Sequence, residues 1–567
     1  MGTEASGGDC LIQGGSVIDG TGLPAVPADL RVRAGRIVEI GQRLLADGER
    51  RIDATGCVVT PGFIDTHTHY DASIFWDPRC DPIALHGVTS LLIGNCALGL
   101  APVRPAERAE LGALFSFVED IPPSVFETQV PWRWESWPDY AAYLKSMPLG
   151  VNVAALVSHS LLRQYAMGAD AWQRAATPAE TAAMASLAGE AMAAGAFGLS
   201  VSRFDRSPDG RLVPSYHADD AELAALCAAI APARGVVQII PTQNDADAWH
   251  EDLRRLCRIA SLSGCPVVSN FIGQRPDDPT AAPRLLELAR ELRAGGADFF
   301  HMASPRSIDL VLNFQQSMLL MYVPAWNAVL QSTMPESEKK AALADPAWRA
   351  AAREQWDAVP FPRDVAALFR IIEVGTAANE PWLGRSFGDL LAARPGHASD
   401  CLADWALEND LLAKFTYPYT NTDAAIVGSL LAAPENLISG SDAGAHIAMF
   451  DGAGDTTLVL TRHVRDRGDL TLEQAVHRMT AEPARFLGLS DRGRISVGAV
   501  ADLAIFRLED LAWRDCVRVR DVPGKLGRLR RPAGGYRFTL IAGQVVQQEG
   551  EATSALPARF LAAGDRA

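Results

Sequence analysis

A long alternation of two kinds of segment occupies the middle of the chain. Short apolar runs rich in β-branched residues are each followed by Ala-, Leu- and Glu-rich stretches that are typical of helices. Strands that alternate with helices in this way form a parallel sheet covered by helices. The alternation therefore predicts an α/β fold, and a TIM-like (β/α)8 barrel is its natural architecture.

The apolar runs supply enough strands to close such a barrel. Predicted strands end near Thr66, Gly94, His159, Ser202, Thr242, Asn270 and Asp442. One further strand, the seventh in order, ends near Ala303 or lies in the run MLLMYVP at residues 318–324. Barrel enzymes build their active sites at the C-terminal ends of the strands, so polar residues at these points are candidates for chemistry.

The two ends of the chain have a different pattern. Residues 9–57 and the region near 492–550 contain short alternating segments separated by Gly and Pro turns. This pattern is typical of small antiparallel strands. We predict that residues 1–57 and 486–555 pair into one composite β-sandwich, and that residues 58–485 form the barrel.

Two long stretches interrupt the alternation, near residues 104–149 and 326–420. Loops of this length are usually functional lids or binding walls. Both are rich in tryptophan, which either anchors an insertion by packing or lines a wall for substrate. The sequence leaves both roles open for Trp132, Trp134, Trp137, Trp326, Trp348, Trp356, Trp382 and Trp405.

Charge and composition disfavour several classes of function. The 567 residues include 52 Lys and Arg against 68 Asp and Glu, a net charge of −16 that repels nucleic acids and anionic membranes. No apolar run reaches the roughly 18 residues needed to span a bilayer, and the first residues lack signal-peptide features. We therefore expect a cytoplasmic protein with neither a nucleic-acid nor a membrane partner. Whether it forms a homo-oligomer is left open.

Two histidines directly follow the first strand of the barrel. In the segment PGFIDTHTH, His67 and His69 are two residues apart. Side chains at positions i and i+2 of an extended strand point to the same face, so one ion can contact both imidazoles. A single histidine on a strand is more often a core residue, but a pair at the C-terminal end of a barrel strand indicates metal ligands.

A carboxylate follows the last predicted strand. Asp442 lies in the Gly-rich segment SGSDAGAH, after the apolar run ENLISG. Aspartate at such a turn commonly caps the following helix. Its position at the opposite end of the barrel stretch from His67 also allows it to close a metal site. His446 lies one helical turn later and is a candidate hydrogen-bond partner of the reacting oxygen.

Four separated motifs carry a resemblance to a known family. They are VVTPGFIDTHTHYD, HGVTSLLIGNCALGLAPV, GSDAGAH and DRGRISVGAVADLAIF, in that order. Together they resemble the amidohydrolase superfamily, and most closely its D-aminoacylase (N-acyl-D-amino-acid deacylase) branch. The likeness covers essentially the whole chain. It implies a TIM-like barrel with a composite β-sandwich and a divalent-metal hydrolase site at the barrel mouth.

The resemblance also assigns roles to residues. His67 and His69 match the HxH metal ligands of the first strand, and Asp442 matches the last-strand aspartate that binds metal and acts as general base. Cys96, in the segment GNC, matches the cysteine that this branch uses as a metal ligand, although a cysteine beside barrel strands is also commonly buried packing. One or two divalent ions are implied, with zinc first and iron or manganese as alternatives.

The chain departs from the family pattern on two strands. Relatives place metal-binding histidines at the ends of the fifth and sixth strands, where this chain reads GVVQIIPTQND and PVVSNFIGQ. The polar candidates there are Gln238, Thr242, Gln243 and Asn270, and amide oxygens bind zinc less well than imidazole does. We assign Gln238 and Asn270 to substrate binding.

Other polar residues complete the candidate set. His159 ends the third strand in SHSLLRQYAMG, which resembles the corresponding motif of the branch, so we expect it to face the site as a catalytic residue. Arg203, after the fourth strand, is a candidate partner for an anionic group of the substrate, although an arginine in a charged loop is often only a surface residue. His217 and His301 are possible replacement ligands if the strands lie elsewhere.

These features predict a metal-dependent hydrolase that attacks an acyl carbonyl with metal-activated water. Asp442 is its expected general base, and its expected substrate is a small acylated molecule with an amide bond, similar to an N-acyl-D-amino acid. A thioesterase or esterase acting on a large hydrophobic acyl group is one alternative, suggested by the tryptophans. A non-catalytic binding protein on the same fold is another, suggested by the two missing histidines.

Overall fold

Strands and helices alternate through the middle of the chain, and both ends are rich in strands. The structure is a computed structural model that describes residues 8–242, 246–276, 278–315, 317, 319–331, 334–394 and 396–563. Gln243, a polar candidate from the sequence, lies outside these described residues. The arrangement is an α/β fold with several sheets, as predicted from the alternation.

The strands are numbered in chain order. They are β1 (Cys10–Val17), β2 (Val26–Arg33), β3 (Arg36–Gly41), β4 (Arg50–Asp53), β5 (Val58–Pro61), β6 (Phe63–Asp65), β7 (Val88–Ile93), β8 (Asn152–Ala155), β9 (Val157–Ser158), β10 (Gly198–Ser202), β11 (Val236–Ile240), β12 (Val267–Ile272), β13 (Phe299–Ala303), β14 (Ile308–Asn313), β15 (Arg370–Glu373), β16 (Lys414–Thr420), β17 (Asn436–Ile438), β18 (Leu503–Phe506), β19 (Val517–Val522), β20 (Leu526–Arg530), β21 (Phe538–Ile541), β22 (Gln544–Gln548) and β23 (Glu551–Ala552).

The α-helices follow the same order. They are α1 (Arg108–Glu119), α2 (Pro123–Thr128), α3 (Trp137–Ser146), α4 (His159–Met167), α5 (Pro178–Ala194), α6 (Asp220–Ile230), α7 (Ala246–Leu262), α8 (Ala281–Ala294), α9 (Pro324–Val329), α10 (Glu336–Ala344), α11 (Pro346–Ala358), α12 (Pro360–Arg363), α13 (Phe387–Ala393), α14 (Ala398–Glu408), α15 (Ala424–Ala432), α16 (Asp455–Leu458), α17 (Leu472–Met479) and α18 (Ala481–Leu487). In the part of the chain that the structure describes, no helix is both long and apolar enough to cross a membrane.

The middle strands form two parallel sheets that meet at one segment. One sheet has the order β17, β13, β12, β11, β10, β9, and the other has the order β6, β7, β8. Only Leu156 separates β8 from β9, so this segment belongs to both sheets. A parallel bridge between Thr68 and Ala443 connects the segments that follow β6 and β17. The strands whose ends were predicted from the sequence therefore belong to two sheets that are connected to each other at both of these places.

The seventh predicted strand is β13. The alternative, the run MLLMYVP, forms turns and a bend at residues 319–323 rather than a strand. Parallel strands covered on both faces are buried along their whole length, which explains why their sequences are nearly continuous apolar runs. Every residue of β7, β11 and β13 is buried. The polar exception within β11 is Gln238.

The two ends of the chain share one nine-stranded sheet. Its order is β23, β22, β21, β18, β5, β1, β2, β3, with β4 also paired to β1. The contact between the ends is the antiparallel pair of β5 with β18, in which Val59 faces Ile505 and Pro61 faces Leu503. Residues from both ends therefore pack in one separate apolar core, which includes Ile12, Val32, Val59, Leu503 and Leu540.

The second insertion forms a unit with its own core. Its antiparallel sheet has the order β14, β16, β15, so the unit begins at Ile308, earlier than the sequence indicated. Three of its tryptophans, Trp326, Trp356 and Trp405, are buried in this core, and Trp348 and Trp382 pack against it. In the first insertion, Trp134 and Trp137 are buried in the main core and Trp132 packs against it. The tryptophans therefore anchor the insertions by packing.

Candidate metal centre

His67 and His69 follow β6 and are completely buried. Nε2 of each imidazole lies 3.3 Å from Oδ1 of Asp442. The centroids of the two rings are 5.2 Å apart. The two imidazoles follow β6 and the carboxylate follows β17, and the structure brings the three groups together where these two segments meet.

Cys96 reaches the same point from the end of β7. Its Sγ lies 3.4 Å from Nε2 of His67 and 3.7 Å from Nε2 of His69. The turn that carries Cys96 is held by Asn95, whose Nδ2 donates to the carbonyl oxygens of Thr68 and Leu92. Three separate strand ends therefore contribute side chains to one buried group.

Close backbone packing holds Asp442 in place. Its backbone N–H donates to the carbonyl oxygen of His67 over 3.1 Å. Gly444 has a φ of +89°, and a Cβ at that position would lie 2.9 Å from the backbone of His69 and Tyr70. Only glycine allows the loop after β17 to approach this closely. The approach sets the distance between the carboxylate and the imidazoles.

The ligand atoms are spaced for a metal ion. His67, His69 and Cys96 each offer one ligand atom, all within 4.8 Å of one another. Four ligand atoms around a tetrahedral zinc ion, with bonds of about 2.0–2.3 Å, lie about 3.3–3.8 Å apart. Nε2 of each imidazole lies 3.3 Å from Oδ1 of Asp442, and Sγ of Cys96 lies 3.4 and 3.7 Å from the same two nitrogens. Two nitrogens, a sulfur and an oxygen also form a donor set that suits zinc.

Burial and charge act on the protonation of these groups in opposite directions. Burial raises the pKa of the Cys96 thiol to about 12, and burial lowers the pKa of His67. Burial also acts to raise the pKa of Asp442, but hydrogen bonds and charge from both imidazoles outweigh it and hold that pKa well below its ordinary value. Because a thiolate rather than a thiol binds metal, binding at Cys96 releases a proton.

Glu119 is a buried residue of the site that the sequence analysis missed. It is the last residue of α1, in the first insertion, and its Oε1 lies 3.5 Å from Nδ1 of His69. Its Oε2 lies 3.6 Å from Nε2 of His446. Burial raises the pKa of Glu119 to about 8. One sequence signal could have indicated Glu119. A negative charge at a helix C-terminus is unfavourable next to the helix dipole, so an acidic residue there suggests that another group stabilises it.

His446 lies beside this carboxylate and beside Asp442. Its Nε2 is 3.7 Å from Oδ2 of Asp442. Its backbone N–H donates to the carbonyl oxygen of Glu119, which connects the loop after β17 to the end of α1. His446 therefore lies between the carboxyl groups of Glu119 and Asp442, and its role toward the reacting oxygen stays a prediction.

Gln238 and Asn270 form an amide pair beside Cys96. The backbone N–H of Cys96 donates to Oε1 of Gln238 over 2.8 Å, and Nε2 of Gln238 donates to Oδ1 of Asn270 over 2.6 Å. Nδ2 of Asn270 donates to Sγ of Cys96 over 3.4 Å. The backbone N–H of Thr242 instead donates to Asp252. The structure thus places these two amides against the thiol.

His159 is positioned by a different group of residues. Its Nδ1 lies 2.9 Å from Oγ of Ser215, and its Nε2 lies 2.8 Å from Oε1 of Glu222, which also pairs with Arg163. Both ring nitrogens are therefore engaged away from the metal ligands. The hydrogen bonds of the described residues connect His159 to this buried network at the start of α4 rather than to Cys96 or Asp442.

Arg203 is already paired within the protein. Its Nε lies 3.0 Å from Oδ2 of Asp252, and its Nη1 donates to the carbonyl oxygen of Tyr216 over 2.8 Å. The other candidate ligands lie apart from the centre as well. Nε2 of His301 donates to the carbonyl oxygen of Leu285 in α8, so this ring faces the helix layer. His217 is at the end of a short 3₁₀ turn beside Tyr216.

Comparisons with known proteins extend over almost the whole chain. Residues 50–547 match the family described as "Amidohydrolase family". N-acyl-D-glutamate deacylase of Alcaligenes xylosoxydans xylosoxydans is 31% identical over 510 residues, which make up 89% of this chain and 88% of that protein.

Solved structures are similar over the same extent. N-acyl-D-glutamate deacylase from Bordetella bronchiseptica, complexed with zinc and a phosphonate inhibitor, has a TM-score of 0.70 at 26% identity and covers 98% of this chain and 100% of its own. A D-aminoacylase, described with a binuclear metal centre, has a TM-score of 0.68 at 25% identity and the same coverage of both chains.

Proposed function

Since the chain belongs to the amidohydrolase family and is a metal-dependent hydrolase, we propose that it hydrolyses the amide bond of N-acyl-D-amino acids. The observation that carries the proposal is the buried group of His67, His69 and Cys96, whose ligand atoms lie within 4.8 Å of one another, with Oδ1 of Asp442 3.3 Å from Nε2 of each imidazole. Two similar proteins, an N-acyl-D-glutamate deacylase and a D-aminoacylase, support the substrate class.

In this proposal His67, His69 and Cys96 would hold a divalent ion, with zinc as the first candidate, and the fourth position would be left for water beside Asp442. When bound, such an ion polarises the scissile carbonyl and lowers the pKa of a water molecule. Asp442 accepts a proton from the attacking water and later delivers it to the leaving nitrogen, so that a carboxylic acid and an amine are formed. Because its pKa is held below its ordinary value, Asp442 is ionised before the reaction.

Glu119 and His446 position this machinery. A carboxylate that accepts a hydrogen bond from Nδ1 of a metal-binding histidine sets its ring orientation and tautomer, which leaves Nε2 free for the ion. Glu119 is placed to do this for His69. His446, between Glu119 and Asp442, is the proposed hydrogen-bond partner of the reacting oxygen.

The substrate carboxylate needs a cation near the centre, and Arg206 is the proposed residue. It follows Asp205, a buried group whose charge interacts with those of His69 and Asp442. Nη1 of Arg206 donates to the carbonyl oxygen of Gly210 over 2.9 Å, and its guanidinium lies 5.8 Å from the ring of Tyr322. The salt bridges between described residues give Arg206 no acidic partner, whereas they pair Arg203 with Asp252.

The packing of the tryptophans favours an amide over a thioester substrate. The sequence suggested a large acyl group because two insertions are rich in tryptophan. Trp326, Trp356 and Trp405 contribute instead to the core of the second insertion. The reason for expecting a long apolar acyl chain is therefore removed.

We also propose an architecture for the whole chain. The two parallel sheets, joined at Leu156 and bridged between Thr68 and Ala443, form a closed barrel within residues 58–485. The nine-stranded sheet, whose strands lie within residues 10–61 and 503–552, folds over its own core as a β-sandwich, so the N-terminal part of this unit extends to Pro61 rather than ending at residue 57. This division leaves the metal ligands on the barrel, at the C-terminal ends of its strands.

The test is a panel of substrates given to the purified protein. N-acyl-D-amino acids, their L-isomers, and short and long acyl thioesters are compared by release of amine or thiol. We expect turnover of the D-isomers, loss of turnover after chelation, and recovery with zinc, manganese or iron. Turnover of thioesters alone, or undiminished turnover without metal, contradicts the proposal.

The same panel tests Arg206. Arg206→Gln is expected to raise KM for N-acyl-D-amino acids by about 10- to 100-fold, because a charge-assisted hydrogen bond contributes about 1.5–3 kcal/mol. Substrates whose carboxylate is capped as an amide should show no such change. Arg211→Gln is the matched control, since Arg211 lies in the same loop and is paired with Asp209 and Glu110. Equal KM changes for capped and uncapped substrates contradict this role.

A further inference from the structure

The amide pair of Gln238 and Asn270 lies beside Cys96, on two strands of the parallel sheet. Gln238 lies in β11 and Asn270 in β12, which are neighbouring parallel strands. Both side chains are buried and contact the same cysteine. A D-aminoacylase of similar fold is described with a binuclear metal centre. A second ion in this chain would have to lie beside Cys96 and these two amides.

The hydrogen bonds determine which way each amide points. The backbone N–H of Cys96 is a donor only, so the atom of Gln238 facing it over 2.8 Å is the oxygen. Nε2 of Gln238 therefore points at Asn270 and requires an acceptor, which is Oδ1 at 2.6 Å. That leaves Nδ2 of Asn270 facing Sγ of Cys96 at 3.4 Å. Each orientation follows from the one before it.

This orientation is unfavourable for a second cation. An ion bridged by Cys96 would have to approach Sγ from the side of β11 and β12. On that side Sγ meets the N–H donors of Asn270, which carry partial positive charge and have no lone pair for a metal. Oε1 of Gln238 accepts from the backbone N–H of Cys96, and Oδ1 of Asn270 accepts from Nε2 of Gln238, so both oxygens point at donors rather than at Sγ. Among the described residues, the group found with metal-ligand spacing is His67, His69 and Cys96.

We propose that this protein has a mononuclear metal centre. One divalent ion would be held by His67, His69 and Cys96 beside Asp442, and the Gln238–Asn270 pair takes the place of a second ion through the hydrogen bond from Asn270 to the cysteine sulfur. A hydrogen bond to a thiolate offsets part of its negative charge, as a bridging cation otherwise does. The inference rests on the metal site of the proposed function, but it concerns the number of ions rather than the substrate.

The first test is the metal stoichiometry of the wild-type chain. The metal-free protein is dialysed against excess zinc and then analysed for metal, and a parallel sample is titrated with cobalt while the sulfur-to-cobalt absorption is recorded. We expect saturation at one ion per chain in both experiments. Saturation at two ions per chain overturns the inference. Neither readout depends on turnover, so a protein with one ion and no deacylase activity contradicts only the proposed function.

The second test replaces both amides by histidine. The double variant Gln238→His, Asn270→His should bind a second equivalent of zinc, because two imidazoles then face the sulfur. Cys96→Ser in the wild-type background is the control for the sulfur and should abolish the cobalt absorption while the circular dichroism spectrum is retained. A folded double variant that still binds one ion contradicts the role given to the amide pair, and a second equivalent supports it.

Discussion

Three residues of the metal site adopt a backbone conformation that side chains disfavour. Cys96, Asp442 and His446 have φ values of +59°, +57° and +49°. The left-handed region costs a residue with a Cβ about 1–2 kcal/mol. Such strain persists where the surrounding structure over-determines it, and it is concentrated at functional sites. In this site it aims the thiol, the carboxylate and the imidazole at a common point from the ends of two strands.

Glu119 gives a prediction at this scale. Glu119→Gln replaces the carboxyl group beside His69 and His446 by an amide and keeps the size of the side chain. Loss of a residue that orients a metal ligand typically costs about 10- to 100-fold in metal affinity or activity. We expect a drop of this size in zinc affinity, measured by chelator competition. Glu110→Gln is the control, because this half-exposed residue lies on the same helix and pairs with Arg211.

Whether Glu119 orients the ligand or only fills space can be distinguished. If the variant has wild-type zinc affinity and wild-type turnover, the carboxylate has no part in the site. If Glu110→Gln loses as much affinity as Glu119→Gln, the effect comes from the helix and not from the carboxylate.

At the scale of elements, β13 shows that a polar residue of a parallel strand can point at the helix layer instead of at the metal site. His301 was a candidate ligand, but it is buried and its Nε2 donates to the carbonyl oxygen of Leu285 in α8. The side chain therefore packs between the sheet and the helix layer. Burial lowers the pKa of His301 to about 4, so the imidazole is neutral in the folded protein.

This assignment predicts how stability depends on pH. In the unfolded chain His301 takes up a proton as the pH falls through its ordinary value of 6.5, but in the folded chain it does so only near 4. The free energy of unfolding therefore decreases on acidification through this window, by about 1.4 kcal/mol per pH unit from this group. His301→Gln should remove that contribution in urea denaturation at several pH values.

The neighbouring Phe300 provides the control. Phe300→Leu perturbs packing in the same strand without removing a titratable group, and Phe300 packs against Phe486 rather than against His301, so its loss of stability should be equal at each pH. A variant His301→Gln with the wild-type pH dependence would show that this imidazole is protonated alike in the folded and unfolded chains.

For the whole molecule, the sheet formed by the two chain ends is coupled to the metal site. β5 belongs to this sheet and β6 leads to His67, and only Gly62 separates the two strands. A Cβ at Gly62 would lie 2.2 Å from the side chain of Thr89, so the strands turn from one sheet to the other in very little space. Unfolding of the terminal sheet therefore displaces the segment that carries the first metal ligands.

Leu503→Ala tests this coupling. Leu503 is 1% exposed in β18, the strand that pairs the C-terminal segment with β5. Removing such a buried side chain costs about 2–5 kcal/mol. We expect the free energy of unfolding to fall by this amount, with the loss of β-structure and the release of bound zinc at the same denaturant concentration. Release of zinc at an unchanged concentration would contradict the coupling.

An exposed residue of the same region provides the comparison. Val497 is 65% exposed, and Val497→Ala should change the free energy of unfolding by less than about 0.5 kcal/mol. If both variants are equally destabilised, the effect does not come from the core shared by the two chain ends.

The sequence by itself determined the features that consecutive residues encode. The strand–helix alternation, the order of the strands and the pattern of the two chain ends follow from local periodicity, which depends on burial of one face or both. His67 and His69 were recognisable because two residues on a strand share a face. Asp442 was a candidate from its position after the last strand, whereas Cys96 was found through resemblance, since it has no local pattern that indicates a ligand.

Only the tertiary structure decided which distant groups meet. Glu119 lies far from His69 in the sequence, and Gln238 and Asn270 are on separate strands. His159 was expected to face the site, yet Glu222, 63 residues later, holds its ring elsewhere. Such contacts depend on how whole elements pack and on where each buried polar group finds a partner, which no local pattern specifies.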